Sequence, residues 1–315
     1  MTSFPILGDI TAEKFLAEYW QKKPLLIRNA IENFSPPIDA EELAGLSLED
    51  DVESRLVVGE DWLVEHGPFD EKRFQQLGNA NWTLLVQAVN LWVPEVADLI
   101  KHFAFLPQWR IDDIMVSYAT EGGSVGPHFD NYDVFLIQGA GSRRWLVGDT
   151  CNNKSPLIPH ESLRILADVQ FQHEWILNTG DMLYLPPNYS HHGIAMGACT
   201  TFSVGFRAPS AAEVLDDLTT ELISQDKLSH YLKDPALKPE MANQPIPKAY
   251  IEEIRKVITE SLNDDDALIN WFAEYMTRPK YPHLIDITGE LRSAYIENSR
   301  EVTPIHFENG QPEPD

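Results

Sequence analysis

The segment from residue 111 to residue 208 most constrains how this chain can fold, because it consists of short apolar runs separated by turn residues. The runs that begin at Ile114, Val134 and Met182 are rich in β-branched and aromatic residues, which favour strands. Turn signals such as Gly122-Gly123 separate one run from the next. Many short strands at this spacing are typical of a sandwich or a barrel, and they argue against alternating strands and helices.

The regions on either side of this segment have helical patterns. Apolar residues recur at helical spacing around Phe15, and residues 81–100 are predicted to form a helix with one apolar face. After the β-rich segment, Ser210-Ala-Ala-Glu213 is a capping box that predicts the start of a helix. Two further helices are predicted at 250–262 and 267–276. We therefore expect a mainly β domain with helical N-terminal elements, followed by a C-terminal helical domain.

The composition bears on partners and on the compartment. The 315 residues include 24 Lys and Arg against 49 Asp and Glu, which gives a formal net charge of −25 at pH 7. This charge argues against direct binding to nucleic acid and fits a basic partner by electrostatic complementarity. The two cysteines form no paired motif, which favours a reducing compartment such as the cytoplasm. Neither a secretory signal nor a membrane span is expected, because no apolar stretch of about 18 residues occurs.

A possible metal site begins with the sequence Gly126-Pro-His-Phe-Asp130. Residues two apart on a strand face the same way, so His128 and Asp130 can reach one metal ion. They would supply two ligands of a 2-His-1-carboxylate triad, which leaves three coordination positions of Fe(II) open. A second His-x-acid pair, His306-Phe-Glu308, lies among Pro and Gly near the terminus, and we interpret it as a chance pattern.

Two further positions are ambiguous from the pattern alone. A third ligand is expected after Pro186-Pro187, where His191 and His192 are adjacent. These two side chains point to opposite faces of an extended strand, so only one of them can ligate. Arg143 or Arg144, at the start of a predicted strand, could grip a carboxylate through two parallel hydrogen bonds. The alternative is a pair of solvated arginines on an edge strand.

Taken together, these segments resemble the JmjC-type 2-oxoglutarate oxygenases. The resemblance is carried by Gly-Pro-His-x-Asp at 126–130, by Gly-Asp-Met-Leu-Tyr-Leu-Pro-Pro at 180–187 before the distal histidine, and by the strand arginine. Arg110-Ile-Asp-Asp113, the run from Gly126 to Gly139 and the run from Phe202 to Pro209 are similar to those of the bacterial ribosomal oxygenases. Members of that group hydroxylate an arginine of large-subunit ribosomal protein sixteen. The similarity extends from about residue 10 to about residue 280.

The resemblance implies a fold, cofactors and a set of site residues. The fold is a cupin-like double-stranded β-helix, or jelly roll, within a domain at residues 1–209. A helical dimerisation domain at 210–280 follows, and 281–315 is either an acidic tail or the start of an incomplete winged-helix domain. By position, His128, Asp130 and His191 correspond to the ligands of Fe(II). Arg143 corresponds to the residue that binds the far carboxylate of the cosubstrate 2-oxoglutarate, and dioxygen is the second cosubstrate.

The substrate site is defined less sharply. Asp113 and Tyr132 are nominated for binding the substrate guanidinium, with a strand-end acid and a barrel-filling aromatic as the alternative interpretations. Ser117 or Ser203 could offer a hydroxyl to 2-oxoglutarate, or could bond to backbone groups instead. The expected enzyme is a cytoplasmic, homodimeric hydroxylase of an arginine in a basic ribosomal protein.

Three other functions remain open from the sequence. The chain could hydroxylate a histidine of another ribosomal protein. It could be a cupin-like metal enzyme that does not use 2-oxoglutarate, or a catalytically inactive dimeric scaffold.

Overall fold

The computed structural model describes residues 4–229, 231–242, 244–297 and 304–313. The chain divides into two compact units. One consists of the residues up to Ala208 together with His283–Glu290, and the other of Pro209–Pro282 together with the residues from Leu291 onward. Each unit is described separately below.

Eleven strands form the first unit, within the part of the chain that the structure describes. They are β1 (Leu25–Ile27), β2 (Ser54–Val58), β3 (Leu63–His66), β4 (Trp82–Val86), β5 (Ile111–Ala119), β6 (Val134–Gln138), β7 (Ser142–Thr150), β8 (Phe171–Asn178), β9 (Met182–Leu185), β10 (Tyr189–Ala195) and β11 (Cys199–Phe206). Eight of them make one antiparallel sheet in the order β1-β9-β6-β11-β5-β4-β2-β3. The other three make a second antiparallel sheet in the order β10-β7-β8.

The two sheets share an interior. Val134 and Leu183 of the large sheet pack in one buried cluster with Trp145, Val147 and Leu177 of the small sheet. Because side chains alternate along a strand, the neighbouring positions of the large sheet face the other way, into a second and larger core. We call the face that the sheets turn toward each other the barrel interior.

The larger core joins the outer face of the big sheet to the N-terminal elements. These are α1 (Ala12–Glu18), α2 (Ala40–Leu46), α3 (Glu71–Gln75) and α4 (Pro94–Ala97), with 3-10 helices at Pro5–Leu7, Val89–Leu91, Asp98–Phe103 and Gln108–Arg110. The ring of Phe15 in α1 is fully buried and lies 5.0 Å from that of Tyr184 and 5.7 Å from that of Phe135, measured between centroids. The N-terminal helix therefore supports the outer face of the large sheet, on the side opposite the barrel interior.

The prediction of a helix at residues 81–100 is wrong. Residues 82–86 form β4, which pairs with both β2 and β5, and only short helical turns follow. Ala88, in the left-handed region with φ 50°, separates the strand from these turns. The spacing of the apolar residues in this stretch is compatible with a helix or with a strand. Trp82, Thr83 and Val86 are good strand formers, and pairing with two neighbouring strands favours the strand.

The first unit also contains α8 (Ile285–Thr288), which follows a 3-10 helix at Pro282–Leu284. The second unit contains α5 (Ala211–Ser224), a 3-10 helix at Pro239–Met241, α6 (Lys248–Ser261) and α7 (Asp265–Thr277). Ser210 and Glu213 make the capping box that the sequence predicts for α5. Leu218 and Leu222 of α5 pack against Trp271 of α7.

A small antiparallel sheet completes the second unit. It consists of β12 (Ser293–Ile296), β13 (Ile305–Glu308) and β14 (Gln311–Glu313). These strands lie in the segment that the sequence presents as an acidic tail or the start of a winged-helix domain. Ile296 and Phe307 pack against Ala273 of α7, which accounts for the sheet forming there.

No helix among the described residues is both long and apolar enough to cross a membrane.

Candidate metal centre

Two histidines and an aspartate converge at one end of the barrel interior. His128, Asp130 and His191 each offer one ligand atom, and these three atoms all lie within 4.8 Å of one another. The two imidazole rings are 4.2 Å apart between centroids, and Nε2 of His191 is 3.6 Å from Oδ2 of Asp130. The donor set is the one that non-haem Fe(II) enzymes use, with the remaining coordination positions open.

Backbone hydrogen bonds hold the two histidines opposite each other. The amide of His128 donates to the carbonyl of His191 over 3.0 Å, and the reverse bond is 2.8 Å long. The chain reaches this bridge through Gly126, which has φ +76°. A Cβ at residue 126 would lie 2.7 Å from Ile165 and 3.1 Å from Trp62, so both the turn and its surroundings require glycine.

In both His128 and His191, Nδ1 is hydrogen-bonded to a backbone carbonyl oxygen, which leaves Nε2 available for a metal ion. Nδ1 of His128 is 3.0 Å from the carbonyl oxygen of Gly126, and Nδ1 of His191 is 2.9 Å from that of Tyr189. A carbonyl oxygen can only accept, so each Nδ1 carries the hydrogen in the neutral ring. Each Nε2 therefore keeps a lone pair for a metal ion, in the arrangement by which outer partners orient metal-binding imidazoles.

Burial keeps His191 neutral. Removal from water, and after it the neighbouring His128, lower the pKa of His191 to about 4. A metal ion then competes with no proton at neutral pH, because the ligand is already in its basic form.

The structure separates His191 from His192. His192 points away from the barrel interior. Its ring lies 6.5 Å from that of Trp62 and 6.4 Å from that of Phe171, between centroids, and its Nε2 lies 2.8 Å from the hydroxyl of Ser124. It takes no part in the group formed by His128, Asp130 and His191.

A second group of candidate ligands lies in the other unit. His306, Glu308 and Glu313, on β13 and β14, also bring three ligand atoms within 4.8 Å. Nδ1 of His306 is 2.9 Å from a carboxylate oxygen of Glu313. The interpretation of the His306 pair as a chance pattern therefore stays a prediction.

Arg143 and Arg144 have opposite environments on β7. Arg144 is partly exposed, with Nη1 at 3.7 Å from Glu174. Arg143 faces the barrel interior and is only 4% exposed, and its Nε and Nη2 have no hydrogen-bond partner among the described residues. A buried guanidinium without acceptors is costly, so this position fits an anionic ligand well.

The comparison with known proteins matches this geometry. Residues 98–214 fit the model of the JmjC domain. The chain is 39% identical over 275 residues to the ribosomal protein uL16 3-hydroxylase of Escherichia coli, covering 87% of this chain and 72% of the relative. The chain belongs to the JmjC family of ribosomal oxygenases.

A second relative and a solved structure also match this chain. A probable ribosomal oxygenase of Haemophilus influenzae is 43% identical over 227 residues, which cover 71% of this chain and 56% of that protein. The solved structure of YcfD, a ribosomal oxygenase of E. coli, in complex with cobalt and 2-oxoglutarate, matches with a TM-score of 0.83 at 33% identity. That match covers 98% of this chain and 86% of the other. The predicted JmjC jelly roll is confirmed, and the family is one of 2-oxoglutarate-dependent hydroxylases with Fe(II) and dioxygen.

The two candidate hydroxyl groups, those of Ser117 and Ser203, also face the barrel interior. Ser117 on β5 and Ser203 on β11 are both buried. Their neighbours Val116 and Phe202 belong to the larger core on the other face, so alternation directs both serines toward the interior.

Two acidic side chains, Asp113 and Asp130, act on Tyr132. Asp113 is buried, and its Oδ2 accepts a 2.8 Å hydrogen bond from Nε2 of Gln87. The negative charge of Asp130, then burial and the charge of Asp113, raise the pKa of Tyr132, which also hydrogen-bonds Asp130. Tyr132 nevertheless remains 41% exposed, so part of its side chain is open to solvent.

Several residues that shape the site were not singled out from the sequence. Gln87 was assigned to a helix, so nothing connected it to Asp113. Ser124 lies in a turn whose partner is almost seventy residues away, at His192. Trp145, two positions after Arg143, could have been found by strand alternation, because it must face the same interior.

Proposed function

We propose that this chain is an Fe(II)- and 2-oxoglutarate-dependent protein hydroxylase that acts on an arginine of uL16, large-subunit ribosomal protein sixteen. The observation that carries the proposal is the buried guanidinium of Arg143, whose Nε and Nη2 have no hydrogen-bond partner among the described residues and which faces the same interior as His128, Asp130 and His191. One end of that interior suits a metal ion and the other suits a carboxylate. A ligand that chelates at one end and carries a carboxylate at the other fits both.

His128, Asp130 and His191 are the proposed ligands of Fe(II). Two neutral Nε2 atoms and one carboxylate match its preference for mixed nitrogen and oxygen donors. When bound, Fe(II) supplies the activation of dioxygen, in which 2-oxoglutarate is oxidised to succinate and carbon dioxide while one oxygen atom enters a substrate C–H bond. The residues of the chain provide geometry and exclude water from this reaction.

Arg143 is the proposed partner of the far carboxylate of 2-oxoglutarate. Its planar guanidinium can donate two parallel hydrogen bonds, and burial strengthens them because water does not compete. Ser117 and Ser203 are proposed as additional donors, since both are buried on strands that border the same interior. Arg144 does not serve this role in the proposal, because it is directed outward toward Glu174.

Asp113 and Tyr132 are proposed to bind the side chain of the substrate arginine. Asp113 and Asp130 both place negative charge near the Tyr132 hydroxyl, and a guanidinium bound there would be attracted to both carboxylates. The partly exposed ring of Tyr132 can stack on the guanidinium plane. A histidine substrate is the alternative, but an imidazole would gain less than a guanidinium from several carboxylates.

The charge of the chain supports a basic protein partner. At −25 it attracts a basic ribosomal protein and repels RNA, so we propose that the substrate meets the enzyme away from nucleic acid, in the cytoplasm. The E. coli relative is named for its action on uL16, which supports the same substrate here.

A homodimer is proposed through the helical segment 210–280, with residues 1–209 as the catalytic domain and 281–315 as a terminal segment. Exposed apolar side chains on α5 and α6 support this assembly; they are Leu215, Ile223, Ile251, Ile254 and Ile258. Sedimentation equilibrium tests the dimer, and Ile254→Lys should shift the mass toward the monomer.

The experiment that tests the proposed reaction is an anaerobic titration with Fe(II) and 2-oxoglutarate, followed by admission of oxygen. Wild-type protein should show a weak visible charge-transfer band and should then release succinate. Arg143→Ala should lose most of this turnover, while Arg144→Ala, the matched control, should retain it. Unchanged turnover in Arg143→Ala would contradict the role of Arg143 as the partner of the far carboxylate. A metal-loaded wild type that shows no band and releases no succinate would favour a cupin-like enzyme that does not use 2-oxoglutarate, or an inactive scaffold.

A further inference from the structure

The register between β7 and β10 orders the barrel interior into three rows. Val147 pairs with His191, Trp145 with Gly193, and Arg143 with Ala195. All six side-chain positions alternate onto the interior face. Trp145 therefore lies midway between the row that carries a candidate metal ligand and the row that carries the buried guanidinium.

Trp145 fills this middle position closely. Its ring centroid is 5.9 Å from that of His191, and Cζ of Arg143 is 5.8 Å from the Trp145 ring. A Cβ on Gly193 would approach the benzo ring of Trp145 to 2.8 Å, so the indole occupies the space that a side chain would otherwise take. The ring thus lies next to His191 at the metal end of the site and next to Arg143 at the other end.

The indole N–H of Trp145 has no acceptor among the described residues, although the side chain is only 5% exposed. Other tryptophans differ: Nε1 of Trp82 donates to the carbonyl of Gly78 and that of Trp271 to Asp217. Nε1 is a donor only, and so are the two unpaired nitrogens of Arg143. Three buried donors without an acceptor among the described residues, two of them on a cationic guanidinium, fit an oxygen-rich anion.

We propose that Nε1 of Trp145 donates a hydrogen bond to a carboxylate oxygen of bound 2-oxoglutarate, and that its ring forms one wall of the cosubstrate pocket. The inference rests on the proposed function, because it assumes that 2-oxoglutarate binds between the metal site and Arg143. It adds a third donor to that pocket, and it explains why Gly193 carries no side chain.

Trp145→Phe tests the inference, because it keeps an aromatic ring and removes only the N–H and part of the ring area. Binding of 2-oxoglutarate is measured by calorimetry on the full chain loaded with Zn(II), which supports no turnover. A lost hydrogen bond to a charged group should raise the Kd for 2-oxoglutarate roughly 10-fold or more. The Kd for Zn(II) should stay unchanged. Trp82→Phe is the matched control and should bind as wild type does, because the indole N–H of Trp82 already donates to the carbonyl of Gly78 and its ring packs against the core on the other face of the large sheet.

A second measurement on the wild type does not depend on how the variant folds. With 15N-labelled tryptophan, the indole N–H signal of Trp145 should move downfield when 2-oxoglutarate is added to the Zn(II)-loaded protein. The signal can be assigned by its absence in Trp145→Phe, or by elimination with single variants of the other tryptophans. Unchanged affinity in Trp145→Phe, or an indole signal that stays in place while 2-oxoglutarate binds, overturns this inference alone. Failure of the metal-loaded wild type to bind 2-oxoglutarate overturns the proposed function with it.

Discussion

Nε2 of His191 lies 3.6 Å from Oδ2 of Asp130, although 61 positions separate the two residues in the chain. The backbone bridge between His128 and His191 creates this proximity by joining the turn after Gly126 to β10. The site is therefore held by main-chain bonds before any metal ion binds, which is the kind of preorganisation that catalysis needs.

The first prediction concerns Asp130, which supplies the only carboxylate of the proposed triad. Asp130→Ala should weaken binding of Co(II), a spectroscopic substitute for Fe(II), by more than about 100-fold, since loss of a ligand should exceed the effect of losing an outer partner. Glu308→Ala is the control and should bind Co(II) as wild type does, because Glu308 belongs to the second group of candidate ligands, on β13 and β14. The reverse pattern would move the principal metal site to β13 and β14.

The second prediction separates the two adjacent histidines. His191→Gln should abolish Co(II) binding, because it removes a ligand directed into the barrel interior. His192→Gln should retain Co(II) binding within about 10-fold, because that side chain contacts Ser124 and only supports the turn before His128. The intensity of the visible Co(II) absorption reports coordination number in both variants. Equal losses would show that both rings are needed at the metal.

Much of this site follows from the sequence, and the remainder depends on contacts that a sequence does not show. The pair His128 and Asp130 is set by strand alternation, which is local. The choice of His191 over His192 needs the pairing of β10 with β7, and the choice of Arg143 over Arg144 needs the same register. Gln87 was missed because β4 was predicted as a helix, and pairing with two distant strands overrides local apolar spacing.

The third prediction uses Gly193, which faces the Trp145 ring. Gly193→Ala should destabilise the protein by about 1–3 kcal/mol, because the new methyl group enters a close-packed position and displaces the indole. Gly45→Ala is the opposite case. Gly45 lies in α2, and a Cβ added there would have no atom within 4 Å, so the substitution should stabilise the protein by about 0.5–1 kcal/mol. Urea unfolding measures both values. Similar stabilities for the two variants would contradict the packing described here.

The fourth prediction concerns the buried carboxyl of Asp133 behind the barrel. Burial raises the pKa of Asp133, while hydrogen bonds from Tyr184 and Gln21 and the charge of Arg110 oppose that rise. When the pH rises through the ordinary aspartate range, the unfolded chain loses its proton first, so the native state binds more protons there. The contribution of Asp133 to the free energy of unfolding should therefore fall as the pH rises from about 4.

Asp133→Asn tests this dependence. As the pH rises, the free energy of unfolding of the wild type should fall relative to that of Asp133→Asn. Urea titrations between pH 4 and neutrality measure it. A wild type that gains stability relative to the variant over this range would mean that the hydrogen bonds from Tyr184 and Gln21 outweigh burial.

The most direct test of the proposed function is mass spectrometry of intact ribosomal proteins from cells with and without the gene for this chain. The proposal predicts one added oxygen atom on uL16 in cells that contain the gene, located on a single arginine, and an unmodified uL16 in cells that lack it. Reintroducing the wild-type gene should restore the added oxygen, and reintroducing Asp130→Ala should not. An unmodified uL16 in wild-type cells, or a gene-dependent oxygen on a histidine of another ribosomal protein, would contradict the proposed substrate.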